Sequence, residues 1–353
     1  MTQQAVPEIM AAVLLMGHGG FDKLVYRTDV PVPVPGKGEV LIRVGAAGVN
    51  NTDINTRIGW YSKKNGASSD ASWSGAPVDF PRIQGIDVCG RIVAVGENVS
   101  PDRVGERILI EPCILEVNGH ELAQPWFLGS ECDGGFAEYT VVASRHAYKI
   151  DSPLSDAELA SFPCSYSTAE NLLTRSDVGR GDVVLITGAS GGVGSAAVQL
   201  ASARGAEVMA VTNPSKSTDV MNLGAEKTLF REESAVKALG YNSIDVVIDL
   251  VAGKRWSELL DVLKPAGRYA VAGAIGGPMV ELDVRTLYLK DLSLFGCTVL
   301  EPQVFSTLIH HIESGTIKPV VAHTFPLEQI VEAQKTFLLK RHTGKIVLTV
   351  GAE

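Results

Sequence analysis

The stretch Val183-Val-Leu-Ile-Thr187, followed by Gly188-Ala-Ser-Gly-Gly-Val-Gly194 and then Ser195 to Ala203, decides the fold of this 353-residue chain. A short apolar, β-branched run gives way to a glycine-rich turn, and the turn to a segment of helical period. Ala189-x-Gly191-x-x-Gly194 therefore stands at a strand-to-helix turn, the context in which such a pattern cradles a dinucleotide. Gly191 lets the backbone approach a pyrophosphate, and Gly194 lets the helix pack closely on the strand. The helix start adds unpaired N–H groups and the positive end of its dipole. Ala189, Ser190, Gly191, Gly192, Val193 and Gly194 are the candidate cofactor-binding residues of this turn. An ordinary tight turn is the alternative, and the strands on either side weigh against it.

Outward from this turn, strand and helix alternate from about residue 156. Strands are expected at Glu207 to Thr212, Asp245 to Val251, Arg268 to Ala272 and Leu292 to Val299, with helical periodicity at Val193 to Ala203, around Pro214 to Leu223 and at Lys254 to Leu263. Such repetition specifies an α/β doubly wound parallel sheet covered on both faces. A carboxylate at the end of the second strand would bind the ribose 2′-hydroxyl of NAD. Here the strand ends in Thr212-Asn-Pro-Ser-Lys216, and Asn213, Ser215 and Lys216 are donors for a 2′-phosphate. Thr212, Asn213, Ser215 and Lys216 thus favour NADP (NADPH), against the plainer reading of Lys216 as a solvated helix residue.

The first 150 residues read differently, as short β runs punctuated by Gly, Pro and Asp: Glu39 to Val44, Gly90 to Val95, Arg107 to Ile110 and Ala137 to Val142. Pro31, Pro33 and Pro35 make an extended connector. The segment Pro302 to Glu353 carries helices at Val304 to Ser314 and Leu327 to Leu339 and a strand at Lys345 to Val350. The polar stretch Ser62 to Gly75 suits a mobile loop, with a substrate lid as one reading.

With 31 basic against 40 acidic groups, a formal charge of −9, the long-range field repels nucleic acid. Apolar runs fall short of the roughly 20 residues of a bilayer span, so no membrane partner is expected. No basic residue precedes the apolar run Ala11 to Met16, so a signal peptide is not expected and a cytoplasmic location is. Five widely spaced cysteines, Cys89, Cys113, Cys132, Cys164 and Cys297, fit buried thiols better than disulfides or a zinc knuckle.

Met10-Ala-Ala-Val-Leu14, Gly48-Val-Asn50-x-x-Asp53, Gly85-Ile-Asp87-x-x-Gly90, Gly134-Gly-Phe-Ala-Glu-Tyr139, the glycine turn and Leu263-Lys-Pro-Ala-Gly-Arg-Tyr269 occur in the order that resembles the medium-chain dehydrogenase/reductase superfamily. That resemblance implies a GroES-like, mostly-β catalytic domain made from both chain ends (residues 1–155 and 302–353) around a Rossmann NADP-binding domain (residues 156–301). In the family's zinc alcohol dehydrogenases, catalytic metal is held by a Cys, the His of a Gly-His-Glu and a later Cys. At those places this sequence has Asn50, Ile86 and Cys164, and one ligand does not hold zinc. Gly119-His120-Glu121 is a decoy, lying in the segment where the zinc enzymes have their structural lobe, and that lobe's four-cysteine cluster is missing. No metal is expected.

Gly48-Val-Asn50-Asn-Thr-Asp53-Ile-Asn-Thr-Arg57-Ile-Gly59-Trp-Tyr61 instead resembles the zinc-independent quinone oxidoreductase-like branch. By that resemblance, Asn50 and Tyr61 are the candidate catalytic residues beside the nicotinamide; Asp53 and Arg57, by their four-residue spacing, are expected as an ion pair holding the loop. The family pattern further implies Gly273, Ala274, Phe295 and Cys297 at the nicotinamide end. Tyr166 and Thr168 either pack against the cofactor or belong to the core. A homodimer through Leu292 to Val299 is the family expectation. Without a Lewis acid, hydride transfer to a conjugated acceptor is easier than alcohol oxidation. The expected activity is NADPH-dependent, zinc-independent reduction of a quinone or α,β-unsaturated carbonyl, a small-molecule substrate. The alternatives are an enoyl-thioester reductase, for which Lys63 and Lys64 are the obvious basic pair, and a non-catalytic NADPH-binding redox sensor.

Overall fold

The computed structural model describes residues 6–62, 72–73 and 77–351. Two compact units emerge: residues 1–164 with 321–341 and 345–353, and residues 165–320 with 342–344. The boundaries fall at 164/165 and 320/321, later than the 155/156 and 301/302 expected from sequence. Helix Val304–Glu313 therefore belongs with the parallel sheet, a correction to its expected place. The reason lies in Asn171, whose amide donates to Val299 O at 3.0 Å and accepts from Glu301 N at 3.1 Å, anchoring the approach to that helix within the second unit.

In the first unit, strand Glu39–Val49 is the centre of a seven-stranded sheet. It pairs antiparallel with Asp87–Val95, with Tyr139–Ala143 and with the C-terminal Lys345–Thr349, which in turn runs parallel to Val321–Pro326. Its alternation is blurred because both faces are covered: Val40, Leu41, Ile42, Val44, Ala46, Ala47 and Val49 are all buried. A three-stranded sheet built on Ile9–Leu15 and a hairpin of Cys113–Val117 with His120–Phe127 complete the unit. The expected connector after Pro31 carries no regular structure as far as residue 36.

The second unit holds six parallel strands in the spatial order Lys227–Phe230, Glu207–Thr212, Val183–Ile186, Ile244–Asp249, Leu263–Val271, Ser293–Gly296. Chain order reverses between Val183–Ile186 and Ile244–Asp249, and ligands of such sheets bind beyond the strand ends at that switch point. The edge strand Lys227–Phe230 escaped the sequence reading because four residues flanked by charge carry too short a period. The expected strand Leu292–Val299 is shorter than anticipated, ordered as strand only over Ser293–Gly296, and the chain leaves the sheet at Cys297.

Candidate active site

The helix Gly192–Ala203 starts directly above strand Val183–Ile186, with Gly191 as its N-cap and no side chain capping it. Its first turn is free of acidic residues, so the positive end of the helix meets no built-in anion. An added Cβ at Gly194 would stand 2.2 Å from Gly188 O, so only glycine permits this helix to seat on the turn. At Gly191 an added Cβ would only touch Gly188 O, at an ordinary van der Waals distance of 3.4 Å, and the exposed glycine backbone leaves a phosphate room to approach. Ala189 and Ser190 are buried, while Gly192 and Val193 are partly exposed. Ser190 O accepts Gly344 N at 3.0 Å, closing the turn from the C-terminal side.

At the end of the second strand Thr212 is fully buried, and among the described residues its hydroxyl has no partner. A buried hydroxyl left unpaired costs stability, which a bound polar ligand would recover. Asn213 Oδ1 accepts from Ser215 N and Oγ, both at 3.1 Å, and fixes the turn. Lys216 reaches His342 O at 2.6 Å. Its pKa is lowered, first by burial and then by Arg231, whose charge faces it. Arg231 was missed from sequence, because the edge strand that it follows is itself too short to read there. These groups fit a nicotinamide dinucleotide.

Beyond the fourth strand, the buried Asp249 accepts hydrogen bonds from Thr187 Oγ1 and Tyr269 OH, both at 2.6 Å, and from the N–H of Val251 at 2.9 Å and of Ala252. Tyr269 in turn accepts from Trp256 Nε1 at 2.8 Å, and burial together with Asp249 pushes its phenol upward. This carboxylate pins the Leu250–Gly253 loop against the Gly273 and Ala274 segment, where a Cβ at Gly273 would meet Leu250 O at 2.6 Å. Phe295 is half-buried and Cys297 buried, its N–H bonded to Val271 O at 2.9 Å. Asp249 also escaped the sequence reading, though a carboxylate closing the run Ile244-Asp-Val-Val-Ile-Asp249 marks it. Tyr166 is embedded in the second unit, its hydroxyl donating to Lys318 O at 2.7 Å and accepting from Gln199 at 2.9 Å, while Thr168 is partly exposed.

In the first unit, Asn50 precedes helix Asn51–Ile58. Its amide is fully engaged: Nδ2 donates to Asp87 Oδ2 at 2.7 Å and to Gly48 O at 3.3 Å, and Oδ1 accepts from Lys345 Nζ at 2.5 Å. Lys345 Nζ also bonds Asp87 Oδ2 at 2.7 Å, and Asp87 Oδ1 accepts Cys164 N at 2.5 Å. Gly48 is required here, because a Cβ would stand 2.5 Å from that carboxylate. Asp53 reaches back to Asn50 N at 2.7 Å, and its carboxyl is pushed up to about 7, chiefly by burial and further by Asp87. The expected Asp53–Arg57 ion pair does not form. Asp53 turns to the helix start it caps, and Arg57 bonds Gln334 Oε1 at 3.0 Å and Gly19 O at 2.7 Å under the Phe21 ring. Lys345 was unforeseen, since nothing local links it to Asn50.

Tyr61 stands just past the same helix. Its hydroxyl donates to Thr52 Oγ1 at 3.2 Å and accepts from Asn55 Nδ2 at 3.5 Å, and burial raises its pKa. Its ring stacks on Trp73 at 5.5 Å and Trp73 on Phe127 at 4.4 Å, while Trp60 meets it edge-on. Most of the suggested lid at 62–75, with Lys63 and Lys64, lies outside the described residues.

The residues at the family's catalytic-metal positions do not fit zinc. Asn50 touches an ammonium, Ile86 is an apolar core residue, and of the three only Cys164 is a residue type that ligates zinc. Among the described residues no group of three or more His, Cys, Asp and Glu side chains is placed to hold a metal ion. His120 is exposed, and Glu121 faces Arg145. None of the five cysteines is in a disulfide, and four of them are buried.

Comparison with known proteins identifies the family. Residues 36–152 match the alcohol dehydrogenase GroES-like domain and residues 192–314 the domain described as zinc-binding dehydrogenase. The human quinone oxidoreductase is 31% identical over 97% of this chain and 98% of its own. An acryloyl-coenzyme A reductase from Metallosphaera sedula is 30% identical over 96% of this chain and 100% of its own. A solved candidate alcohol dehydrogenase from Sinorhizobium meliloti 1021 is 44% identical, covers 98% of both chains and superposes with a TM-score of 0.92. The chain belongs to the medium-chain dehydrogenase/reductase superfamily, in its quinone oxidoreductase-like branch. It is an oxidoreductase that takes a nicotinamide cofactor and a small-molecule substrate. No helix among the described residues is long and apolar enough to cross a membrane.

Proposed function

We propose that this oxidoreductase uses NADPH to reduce a quinone or an α,β-unsaturated carbonyl without a metal. The observation that carries the reading is Tyr61, a phenol kept protonated by burial at the end of the Tyr61–Trp73–Phe127 aromatic stack. Such a wall suits a flat conjugated acceptor, and such a hydroxyl, turned from Thr52 Oγ1 to the acceptor, donates to the oxygen on which negative charge develops. When bound, the reduced nicotinamide supplies the hydride. Asn50 holds the start of the helix that carries Thr52 and Asn55, the two partners of the Tyr61 hydroxyl.

NADPH preference is supported by Lys216 and Arg231 beside a turn, Thr212–Lys216, that contains no carboxylate. A homodimer is supported by the last parallel strand, Ser293–Gly296, an edge in this chain that exposes Leu294. The acryloyl-coenzyme A reductase relative favours one further reading, reduction of an enoyl thioester.

The test is oxidation of NADPH and, in parallel, of NADH by metal-stripped protein against quinones, enones and enoyl thioesters. Turnover that survives chelation, is faster with NADPH and is fastest with quinones or enones supports the proposal. Turnover abolished by chelation overturns it, and turnover confined to thioesters moves the assignment to the second reading.

A further inference from the structure

The first unit buries three charged side chains around one amide. Lys345 is 2% exposed, Asp87 0% and Asp53 3%. Lys345 opens a strand at the far end of the chain, 295 positions from Asn50, and spends two ammonium hydrogens on Asn50 Oδ1 and Asp87 Oδ2. Asn50 can turn its amide only one way there. Reversed, its NH2 would face the ammonium and its oxygen the carboxylate, two repulsive contacts at hydrogen-bond distance.

From this geometry we infer that Lys345 is a positioning residue for the reduction: its ammonium orients Asn50, compensates the Asp53 and Asp87 carboxylates, and thereby holds the helix that presents Thr52 and Asn55 to Tyr61. The inference rests on the reading of Tyr61 as the donor to the acceptor oxygen. The connection is continuous. Lys345 bonds Asn50, the Asn50 N–H bonds Asp53, and the helix they start carries both partners of the Tyr61 hydroxyl. The groups facing Asp53 are Asp87 from strand Asp87–Val95, Lys345 from strand Lys345–Thr349, the Asn50 and Gly85 N–H groups, and Tyr61. Of these only Lys345 brings a positive charge, so it alone opposes the burial and the Asp87 repulsion that favour the protonated Asp53.

Lys345→Met keeps the stem length and removes the charge. The expected result is a fall in kcat of about tenfold or more and an upward move of the acid limb of kcat/KM by about one pH unit, with the NADPH Kd held within about twofold. Lys345→Arg is expected to return the acid limb most of the way. Because Lys345→Met leaves Asp87 buried without its partner, the double variant Lys345→Met/Asp87→Asn guards against a folding defect. It is expected to regain thermal stability and the wild-type acid limb while kcat stays low, because the Asn50 amide is no longer fixed. A folded Lys345→Met protein whose pH profile superimposes on the wild type, or a double variant with wild-type kcat, overturns the proposal. If the wild type turns over none of the acceptors, the functional reading has failed by itself. The pH dependence of thermal unfolding then decides Lys345: extension of the acid-side slope to higher pH in Lys345→Met supports the inference, and an unchanged slope overturns it.

Discussion

Two helix starts bear the proposed site, and they are built on opposite plans. The helix Gly192–Ala203 is bare: glycine at the cap, no capping side chain and no acidic residue in its first turn. The helix Asn51–Ile58 is crowded, its start packed with Asn50, Asp53, Asp87 and Lys345 in mutual hydrogen bonds. The first leaves its backbone donors for a ligand, and the second uses its donors and acceptors on itself. A phosphate site needs unspent N–H groups and close approach, whereas a site that must aim a phenol needs side chains that cannot turn. Substitutions in the crowded start should therefore change rate and stability, and substitutions in the bare one should change cofactor affinity.

The sharpest way to break this contrast is Lys345→Met, which leaves the Asp87 carboxylate buried and uncompensated. A loss of about 3–5 kcal/mol in unfolding free energy is expected by denaturant titration, and a change under 1 kcal/mol, about the worth of an exposed pair, would show that the cluster is not a buried ion network. Next, Tyr61→Phe removes only the hydroxyl. Loss of about a hundredfold in kcat is expected from steady-state rates, with the NADPH Kd unmoved, and retained kcat would remove Tyr61 from the chemistry.

At the bare start, Gly194→Ala forces a methyl group against Gly188 O and should cost about 1–3 kcal/mol of stability along with cofactor binding. Gly191→Ala has room for its methyl and should leave the melting temperature alone while weakening NADPH in fluorescence titration; equal effects of the two would contradict the assigned approach path. Lys216→Ala is expected to weaken NADPH about tenfold and leave NADH binding unchanged, a loss of roughly one charge-assisted hydrogen bond.

The smallest effect is the most specific. Asp53 titrates at about 7 in the folded chain, against about 4 for an exposed aspartate. The folded state thus holds its proton more tightly, and this group withdraws stability as pH rises from about 4 to about 7, with no further change above or below that window. Asp53→Asn removes the effect, so its melting temperature should gain on the wild type between pH 5 and pH 7.5. Parallel curves for the two proteins would show that Asp53 is not so perturbed.

Much of the bare start was legible because its logic is local. Strand, glycine turn and helix follow one another within Val183–Ala203, and the close contact at Gly194 is made with Gly188, six residues away. Arg231 escaped because it reaches Lys216 from the neighbouring edge strand, too short to register as a period. In the crowded start, Asn50, Asp53 and Tyr61 were visible as a spaced motif, but their partners were not. The Asp53–Arg57 pairing suggested by helical spacing gave way to a cap and to a contact with Gln334, which belongs to another helix altogether.

Sequence alone determined that this chain builds a parallel nucleotide-binding sheet, because periodicity, glycine geometry and turn chemistry act over a few residues; the β unit made from both of its ends was implied by the family resemblance. Tertiary structure alone decided which groups surround Asn50. Lys345, Asp87 and Asn50 meet only after strands distant in sequence have paired, and the energy of a buried charge depends on what surrounds it, which no local pattern specifies.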